Sequence, residues 1–316
     1  MKLVSYIPEK NAETAGSEGR LGLVIDDAQI VDFIETAPRF LAVAAGPGDH
    51  PVEALASMRS LLESGEAGQN LAAEVAAWAD HHREDIVPMP IDEVTLLAPV
   101  PRPTTMRDGY AFRQHVAAAR RNRGVEMIPE FDQFPVFYFT NPGSTGGPGD
   151  VLVRQRHLER LDFELEVAIV IGKAGRDIKA SEADDYIFGY MNFNDWSARA
   201  MQMEEMKLNL GPAKGKDFAN TFGPWLVTRD ELSDVRVDGA DGERYDLTMT
   251  AHINGAEVSR GNVKDMTWTF GQIIERASYG VELRPGDVIG SGTVGTGCFL
   301  ELNGSGITNQ WVEDGD

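Results

Sequence analysis

Two glutamates inside an apolar stretch are the first residues whose types and spacing predict chemistry. Glu164 and Glu166 lie within the β-branched, largely apolar run 161–171, which predicts a buried strand. Because side chains alternate along a strand, the two carboxylates would share one face, roughly 6–7 Å apart. Two like charges on a buried face are costly unless a cation or a proton neutralises them, and a divalent metal with oxygen ligands would do so. The alternative is an edge strand whose glutamates face water.

Two aspartates could complete such a site. Asp195 follows a predicted strand over 187–193, where the pattern becomes helical, and Asp108 precedes a predicted helix rich in alanine and arginine. Ligands and helix caps are common at such junctions. With Glu164 and Glu166, the aspartates would offer four hard oxygen ligands, which suit Mg²⁺ or Ca²⁺ and also Mn²⁺. Either aspartate alone would more often be a turn or cap residue.

Composition restricts the compartment and the partners. The 29 basic and 50 acidic residues give a net charge of −21, which argues against nucleic acid and anionic membrane surfaces as partners. The sequence has no apolar run of about 18 residues for a membrane span, and its first residues lack a signal-peptide core. The single cysteine, Cys298, fits a reducing cytosol and predicts a small buried hydrophobe. We therefore expect a soluble cytoplasmic protein.

The hydrophobic pattern predicts a small N-terminal domain over 1–97 and a catalytic domain over 98–316. In the N-terminal domain, two strands flank a turn at Asp26-Asp27, and helical periodicity covers 52–78 with a break at 65–68. Closely spaced prolines at the boundary suit a stiff connector.

The catalytic domain is predicted to be rich in strands. Strand-like segments follow the glutamate run and alternate with glycine-containing turns. In the last third of the chain, the predicted strands cover 247–253, 287–291 and 298–302. The predicted fold class is therefore a β-rich α+β fold.

Short motifs occur in a fixed order between residues 98 and 303. They are Asp108 with His115 seven residues later, Glu164-Leu165-Glu166, Asn194-Asp195-Trp196-Ser197-Ala198-Arg199, Gly215-Lys216 and Gly290-Ser291-Gly292-Thr293. Together they resemble the fumarylacetoacetate hydrolase family, and the block over 194–199 is the most specific of them. The resemblance implies the mixed β-sandwich roll of that family for the catalytic domain, and a homodimer.

The resemblance also implies roles for individual residues. The implied metal ligands, with Mg²⁺ as the first expectation and Ca²⁺ or Mn²⁺ as alternatives, are Asp108, Glu164, Glu166 and Asp195. His115 would be the general base, Glu301 would orient it, and Lys216 would be the catalytic lysine that holds an oxyanion. Arg123 would replace an arginine of the fumarylacetoacetase branch. The remaining positions that match substrate contacts of that branch are Tyr110, Gln202 and Thr293.

The predicted function is a metal-dependent hydrolase that cleaves a carbon–carbon bond in a 1,3-dicarbonyl compound. The substrate would be a small acylpyruvate-like or fumarylacetoacetate-like diketo acid, in aromatic-compound catabolism. A His–Glu pair would activate water, and a divalent cation would stabilise the departing enolate. The alternatives are a hydratase, decarboxylase or tautomerase of a 2-oxo acid on the same fold, and a non-catalytic ligand-binding protein.

Overall fold

A computed structural model describes residues 1–10, 12–13, 17–44, 46, 48–237, 239 and 241–316. The α-helices are α1 (Phe33–Val43), α2 (Met58–Glu63), α3 (Gly65–His81), α4 (Arg113–Asn122), α5 (Arg199–Glu205), α6 (Phe270–Ser278) and α7 (Phe299–Gly304). None of the helices in these described ranges is both long and apolar enough to cross a bilayer.

Strands make up most of the regular structure around the candidate site. They are β1 (Lys2–Ile7), β2 (Arg20–Ile25), β3 (Gln29–Asp32), β4 (Pro88–Pro90), β5 (Thr95–Leu96), β6 (Met106–Gly109), β7 (Phe137–Phe139), β8 (Thr145–Gly146), β9 (Leu161–Asp162), β10 (Leu165–Ile171), β11 (Ile187–Asp195), β12 (Ser197–Ala198), β13 (Asn220–Phe222), β14 (Leu226–Thr228), β15 (Arg236–Val237), β16 (Arg244–Tyr245), β17 (Thr248–Ile253), β18 (Ala256–Asn262) and β19 (Val288–Gly290).

One large, mixed sheet runs through the molecule. Its order is β4-β3-β2-β1-β14-β11-β10-β19-β6-β7, with β13 beside β11 and β5 beside β1. The antiparallel pair β10–β11 lies at its centre, while β19 and β6 run parallel to each other. Strands β6, β19, β10 and β11 are therefore consecutive neighbours, which brings residues far apart in sequence onto one part of the sheet.

The N-terminal strands join this sheet directly. Strand β1 pairs with β14, with Leu3 opposite Leu226, and both side chains are fully buried. One hydrophobic cluster extends from Leu3 through the helices α1, α2 and α3 to Val170 and Phe193 in the central strands. The domain boundary at residues 97 and 98 and the homodimer stay predictions.

The predicted N-terminal hairpin is confirmed, and the predicted break between two helices is present at a different residue. The hairpin β2–β3 turns at Asp26 and Asp27, which have positive φ angles of 52° and 55°. The helical region is divided into two helices as predicted, but the break lies at Ser64 and not over 65–68, because α2 ends at Glu63 and α3 begins at Gly65 and continues through Gly68. A Cβ on Gly68 would lie 2.7 Å from the Cβ of Ala54, so this glycine permits close packing within the helical layer.

The strand predicted over 298–302 is also wrong, because this segment forms helix α7. The carboxylate of Asp162 accepts hydrogen bonds from the backbone N–H groups of Phe299 (2.7 Å) and Leu300 (3.0 Å), which satisfies two donors at the start of the helix. The single strand predicted over 161–171 is divided into β9 and β10, with Glu164 in the irregular link between them.

We expect the Leu3→Ala variant to lose about 2–5 kcal/mol of unfolding free energy, because it leaves a cavity where β1 meets the central sheet. Urea denaturation followed by circular dichroism would measure the loss. Leu152→Ala is the matched control, since Leu152 is 92% exposed, and it should change the unfolding free energy by less than about 0.5 kcal/mol. Equal effects of the two variants would contradict a shared core.

Candidate metal centre and histidine–glutamate pair

Four carboxylates from three strands and one link converge in the sheet. Asp108 lies on β6, Glu166 on β10 and Asp195 at the end of β11, while Glu164 immediately precedes β10. One oxygen of each lies within 4.8 Å of the others, and all four residues are buried. The structure therefore brings together the four residues that the sequence predicted as metal ligands, from positions nearly ninety residues apart at the extremes.

Glycines of the 290–293 motif shape one side of this cluster. The N–H of Gly292 donates to Asp108 Oδ1 (3.1 Å) and to Glu166 Oε2 (3.0 Å). A Cβ on Gly290 would lie 2.5 Å from Asp108 Oδ1 and 2.8 Å from the Phe193 ring, so only glycine leaves the carboxylate in place. The motif thus positions two of the four ligands through its backbone.

Two buried cations partly neutralise the cluster. Lys216 Nζ donates to Asp195 Oδ2 (2.6 Å) and also to Glu164, and Arg199 Nη2 donates to Glu164 Oε1 (2.7 Å). Gly215 lets the lysine approach, because a Cβ there would lie 2.7 Å from the backbone nitrogen of Gln202 in α5. Lys216 thus contacts two carboxylates of the cluster, and its predicted role as an oxyanion holder stays a prediction.

The pKa values of three of the four carboxylates are raised, because these groups are buried together with few cations. Burial raises the pKa of Asp108 to about 6 and that of Asp195 to about 7. Burial and the neighbouring carboxylates also raise the pKa of Glu166 well above its usual range. Burial alone would raise the pKa of Glu164 as well, but the two cations described above outweigh it and lower this pKa. Glu164, which contacts both cations, is therefore the carboxylate of the four whose ionised form is favoured.

The donor set fits a hard divalent cation. Asp195 Oδ1 is buried and has no hydrogen-bond partner among the described residues, whereas Oδ2 accepts from Lys216 and from the Tyr138 hydroxyl (2.6 Å). An unpartnered buried carboxylate oxygen beside three further carboxylates suits Mg²⁺, Ca²⁺ or Mn²⁺, which all take oxygen ligands.

Sequence reasoning missed two residues beside Asp195. Tyr138, on edge strand β7, contacts its carboxylate, and Asn220 lies directly opposite it in the β11–β13 register. Asn220 is fully buried, and its Oδ1 also has no partner within the described part of the chain. No local pattern marks either residue, because only the pairing of distant strands brings them to the site.

A histidine and a glutamate form a buried pair next to the carboxylates. His115 lies in the first turn of α4, and its Nδ1 is 2.6 Å from Oε2 of Glu301 in α7. One ligand atom each of His115, Glu164 and Cys298 lies within 4.8 Å of the others. Cys298 is fully buried, as predicted, and burial holds the pKa of its thiol well above the usual range. The pair therefore adjoins the candidate metal centre.

The predicted substrate contacts surround these groups. Thr293 donates to Glu166 Oε1 (3.4 Å), and Gln202 Oε1 accepts from Arg199 (3.0 Å). The Tyr110 ring meets the His115 ring edge-on, with centroids 5.8 Å apart. Burial of the Tyr110 hydroxyl beside these groups raises its pKa above the usual value.

Arg123 lies beyond the end of α4, with an exposed side chain whose Nε donates to the carbonyl of Ala119 (3.0 Å). Its positive charge lowers the pKa of Tyr110 and so opposes the effect of burial there. Tyr110, Gln202 and Thr293 thus adjoin the site, whereas Arg123 acts on Tyr110 through its charge alone. The contact of all four residues with a substrate stays a prediction.

The fold and the site are those of an enzyme with a buried acidic centre beside a histidine–glutamate pair. Residues 104–316 match the family described as fumarylacetoacetate (FAA) hydrolase, C-terminal. The chain belongs to the fumarylacetoacetate hydrolase family, which confirms the resemblance and the β-rich α+β fold class.

Relatives of known activity differ in the reaction they catalyse. The chain is 29% identical to the oxaloacetate tautomerase YisK of Bacillus subtilis, over 86% of this chain and 84% of that protein. It is 31% identical to the fumarylacetoacetase of rice, over 72% of this chain but only 65% of that protein. The solved structure of a probable 2-hydroxyhepta-2,4-diene-1,7-dioate isomerase from Mycobacterium abscessus covers 100% of this chain and 92% of its own, with 25% identity and a TM-score of 0.65.

We expect Gly290→Ala to weaken Mn²⁺ binding by at least about tenfold, because the new methyl group would displace the carboxylate of Asp108. Isothermal titration calorimetry would measure the affinity. Gly146→Ala is the control, since its Cβ would meet only the Thr221 methyl group at 3.7 Å. Unchanged affinity in Gly290→Ala would show that Asp108 does not bind the metal.

Proposed function

We propose that the protein is a metal-dependent hydrolase that cleaves a carbon–carbon bond in an acylpyruvate-like or fumarylacetoacetate-like diketo acid, in the breakdown of aromatic compounds. The observation that carries this proposal is the buried pair of His115 and Glu301, with 2.6 Å between Nδ1 and Oε2, next to four convergent carboxylates. Hydrolysis needs a group that takes a proton from water, and this pair has the geometry of an oriented general base.

The pair can activate a water molecule through the free nitrogen of the ring. The carboxylate of Glu301 fixes the tautomer with the proton on Nδ1 and stabilises the imidazolium that forms when Nε2 takes a proton from water. The hydroxide so formed adds to the ketone carbon, the adjacent carbon–carbon bond breaks, and its electron pair leaves as an enolate. The imidazolium then returns its proton to the enolate carbon, which restores the neutral base.

Negative charge develops on the carbonyl oxygen and on the departing enolate. When bound by the four carboxylates, a divalent cation supplies positive charge that stabilises the enolate. Lys216 is buried and donates to Asp195 and Glu164, so its ammonium group is held beside the candidate metal centre. We propose that Lys216 stabilises the oxyanion that forms at the attacked carbonyl. Among the candidate cations, we propose Mg²⁺ as the metal that the protein uses.

A second candidate is a tautomerase of a 2-oxo acid such as oxaloacetate. It is favoured by the similarity to the Bacillus subtilis tautomerase, which covers 84% of that protein, whereas the match to the rice fumarylacetoacetase covers 65% of that protein. A tautomerase moves a proton between carbon and oxygen without cleaving the substrate, and His115 could serve there as the proton carrier. The products distinguish the two reactions.

We expect His115→Ala to reduce kcat by about 100- to 10,000-fold at saturating Mg²⁺, because the water loses its general base. Mn²⁺ affinity should stay within about threefold of the wild type, since His115 is not among the four carboxylate ligands. His81→Ala is the control, because His81 is exposed on α3 and should leave turnover unchanged. Undiminished turnover in His115→Ala would refute the role of the base.

We expect acetylpyruvate with Mg²⁺ to yield pyruvate and acetate in equal amounts, and the reaction to stop when a chelator removes the metal. Loss of enol absorbance combined with product analysis by NMR would measure this. If oxaloacetate is interconverted between its keto and enol forms while acetylpyruvate stays intact, the tautomerase is the correct function. Binding of both compounds without any conversion would identify a non-catalytic binding protein.

A further inference from the structure

One buried aspartate outside the predicted site connects the carboxylate cluster with the His115–Glu301 pair. Asp162 is fully buried at the end of β9, and three donors converge on its carboxylate. Oδ1 accepts from the N–H of Phe299 (2.7 Å), and Oδ2 accepts from the N–H of Leu300 (3.0 Å) and from Arg199 Nε (2.7 Å). The two backbone groups belong to the helix that carries Glu301, and the guanidinium belongs to the residue that contacts a predicted metal ligand.

The contact between Asp162 and the first residues of α7 fixes the backbone position of Glu301. Helix α7 spans only six residues, and such a short helix has little stability of its own, so its position depends on contacts at its ends. Glu301 directly follows Leu300, whose N–H is held by Asp162. The 2.6 Å contact between Glu301 Oε2 and His115 Nδ1 therefore depends on a backbone that Asp162 holds in place.

The contact with Arg199 reaches the carboxylate cluster. One guanidinium nitrogen, Nε, donates to Asp162, and another, Nη2, donates to Glu164 Oε1 at 2.7 Å. The strand pair β9–β12 places Asp162 opposite Ser197, in the segment that separates Asp195 from Arg199. The same carboxylate is thus joined to the histidine pair through α7 and to the metal cluster through one guanidinium.

We propose that Asp162 is a positioning residue that aligns Glu301 against His115 and links this alignment to the metal centre through Arg199. The inference rests on the proposed role of the His115–Glu301 pair as the base. A carboxylate is required because three donors converge on it. An asparagine has one acceptor oxygen, and its NH2 group would face a donor in either orientation: the N–H of Phe299, or both the N–H of Leu300 and Arg199 Nε.

The chain contains a matched control for this proposal. Asp32 is also a buried aspartate that caps a helix: it accepts from the N–H of Glu35 (3.1 Å) at the start of α1 and pairs with Arg20 Nε (2.7 Å). It lies among the N-terminal strands, away from the candidate site. Asp32→Asn should therefore cost stability in the same way but leave the site unaltered.

The first readout needs no substrate. A ring N–H that donates to a carboxylate over a short distance gives a proton NMR signal downfield of the amide region, and the signal of His115 is assigned by its loss in His115→Ala. We expect this signal to vanish or move upfield in Asp162→Asn and to persist in Asp32→Asn. If Asp162→Asn does not fold, Asp162→Ser replaces it, because a hydroxyl still caps one N–H.

The second readout is turnover of acetylpyruvate. We expect Asp162→Asn to lower kcat by about 10- to 100-fold, with KM within about threefold of the wild type, and Asp32→Asn to leave both unchanged. In the Glu301→Gln background, Asp162→Asn should cause no further loss, because both changes act through the same pair.

The outcomes separate this inference from the proposed function. A wild-type His115 signal together with wild-type kcat in Asp162→Asn would overturn the inference, as would losses of kcat that multiply in the double variant. If wild-type protein does not turn over acetylpyruvate, the proposed hydrolase fails. The His115 signal in Asp162→Asn then still decides whether Asp162 positions Glu301.

Discussion

The rest of the structure depends on a concentration of negative charge that is buried in the sheet. Four buried carboxylates each place one oxygen within 4.8 Å of the others, and among the described residues the cations that donate to them are Lys216 and Arg199. Since Arg199 is shared with Asp162, the cations do not balance the anions. Such an arrangement is costly to fold unless further positive charge or protons are supplied. The sheet, the glycine turn and the buried lysine all serve to hold this unfavourable cluster together.

Much of the site could be predicted because its residues have unusual neighbours in sequence. Charged residues such as Glu164 and Glu166 inside an apolar strand violate the usual pattern, and that violation identifies the face on which a ligand must lie. The family resemblance then connected these positions to His115 and Glu301. The large central strands were also predictable, since β10 and the first five residues of β11 are apolar apart from Glu166.

The remaining features depend on contacts between distant segments. Residues 298–302 have a local pattern typical of a strand, but capping by Asp162 makes them a helix. Asn220 and Tyr138 reach the site only through the pairing of β13 with β11 and of β7 with β6. Local propensity carries no information about such partners, so neither residue could be recognised from the sequence alone.

The pairing of β1 with β14 has a consequence for the order in which the protein forms. During synthesis β1 leaves the ribosome more than two hundred residues before β14, since Lys2 pairs with Val227. Until β14 has emerged, the edge of β1 that pairs with it has no partner strand. Contacts between residues so far apart in sequence form slowly. The central sheet is therefore completed only late in translation, after β1 has already paired with β2 near the start of the chain.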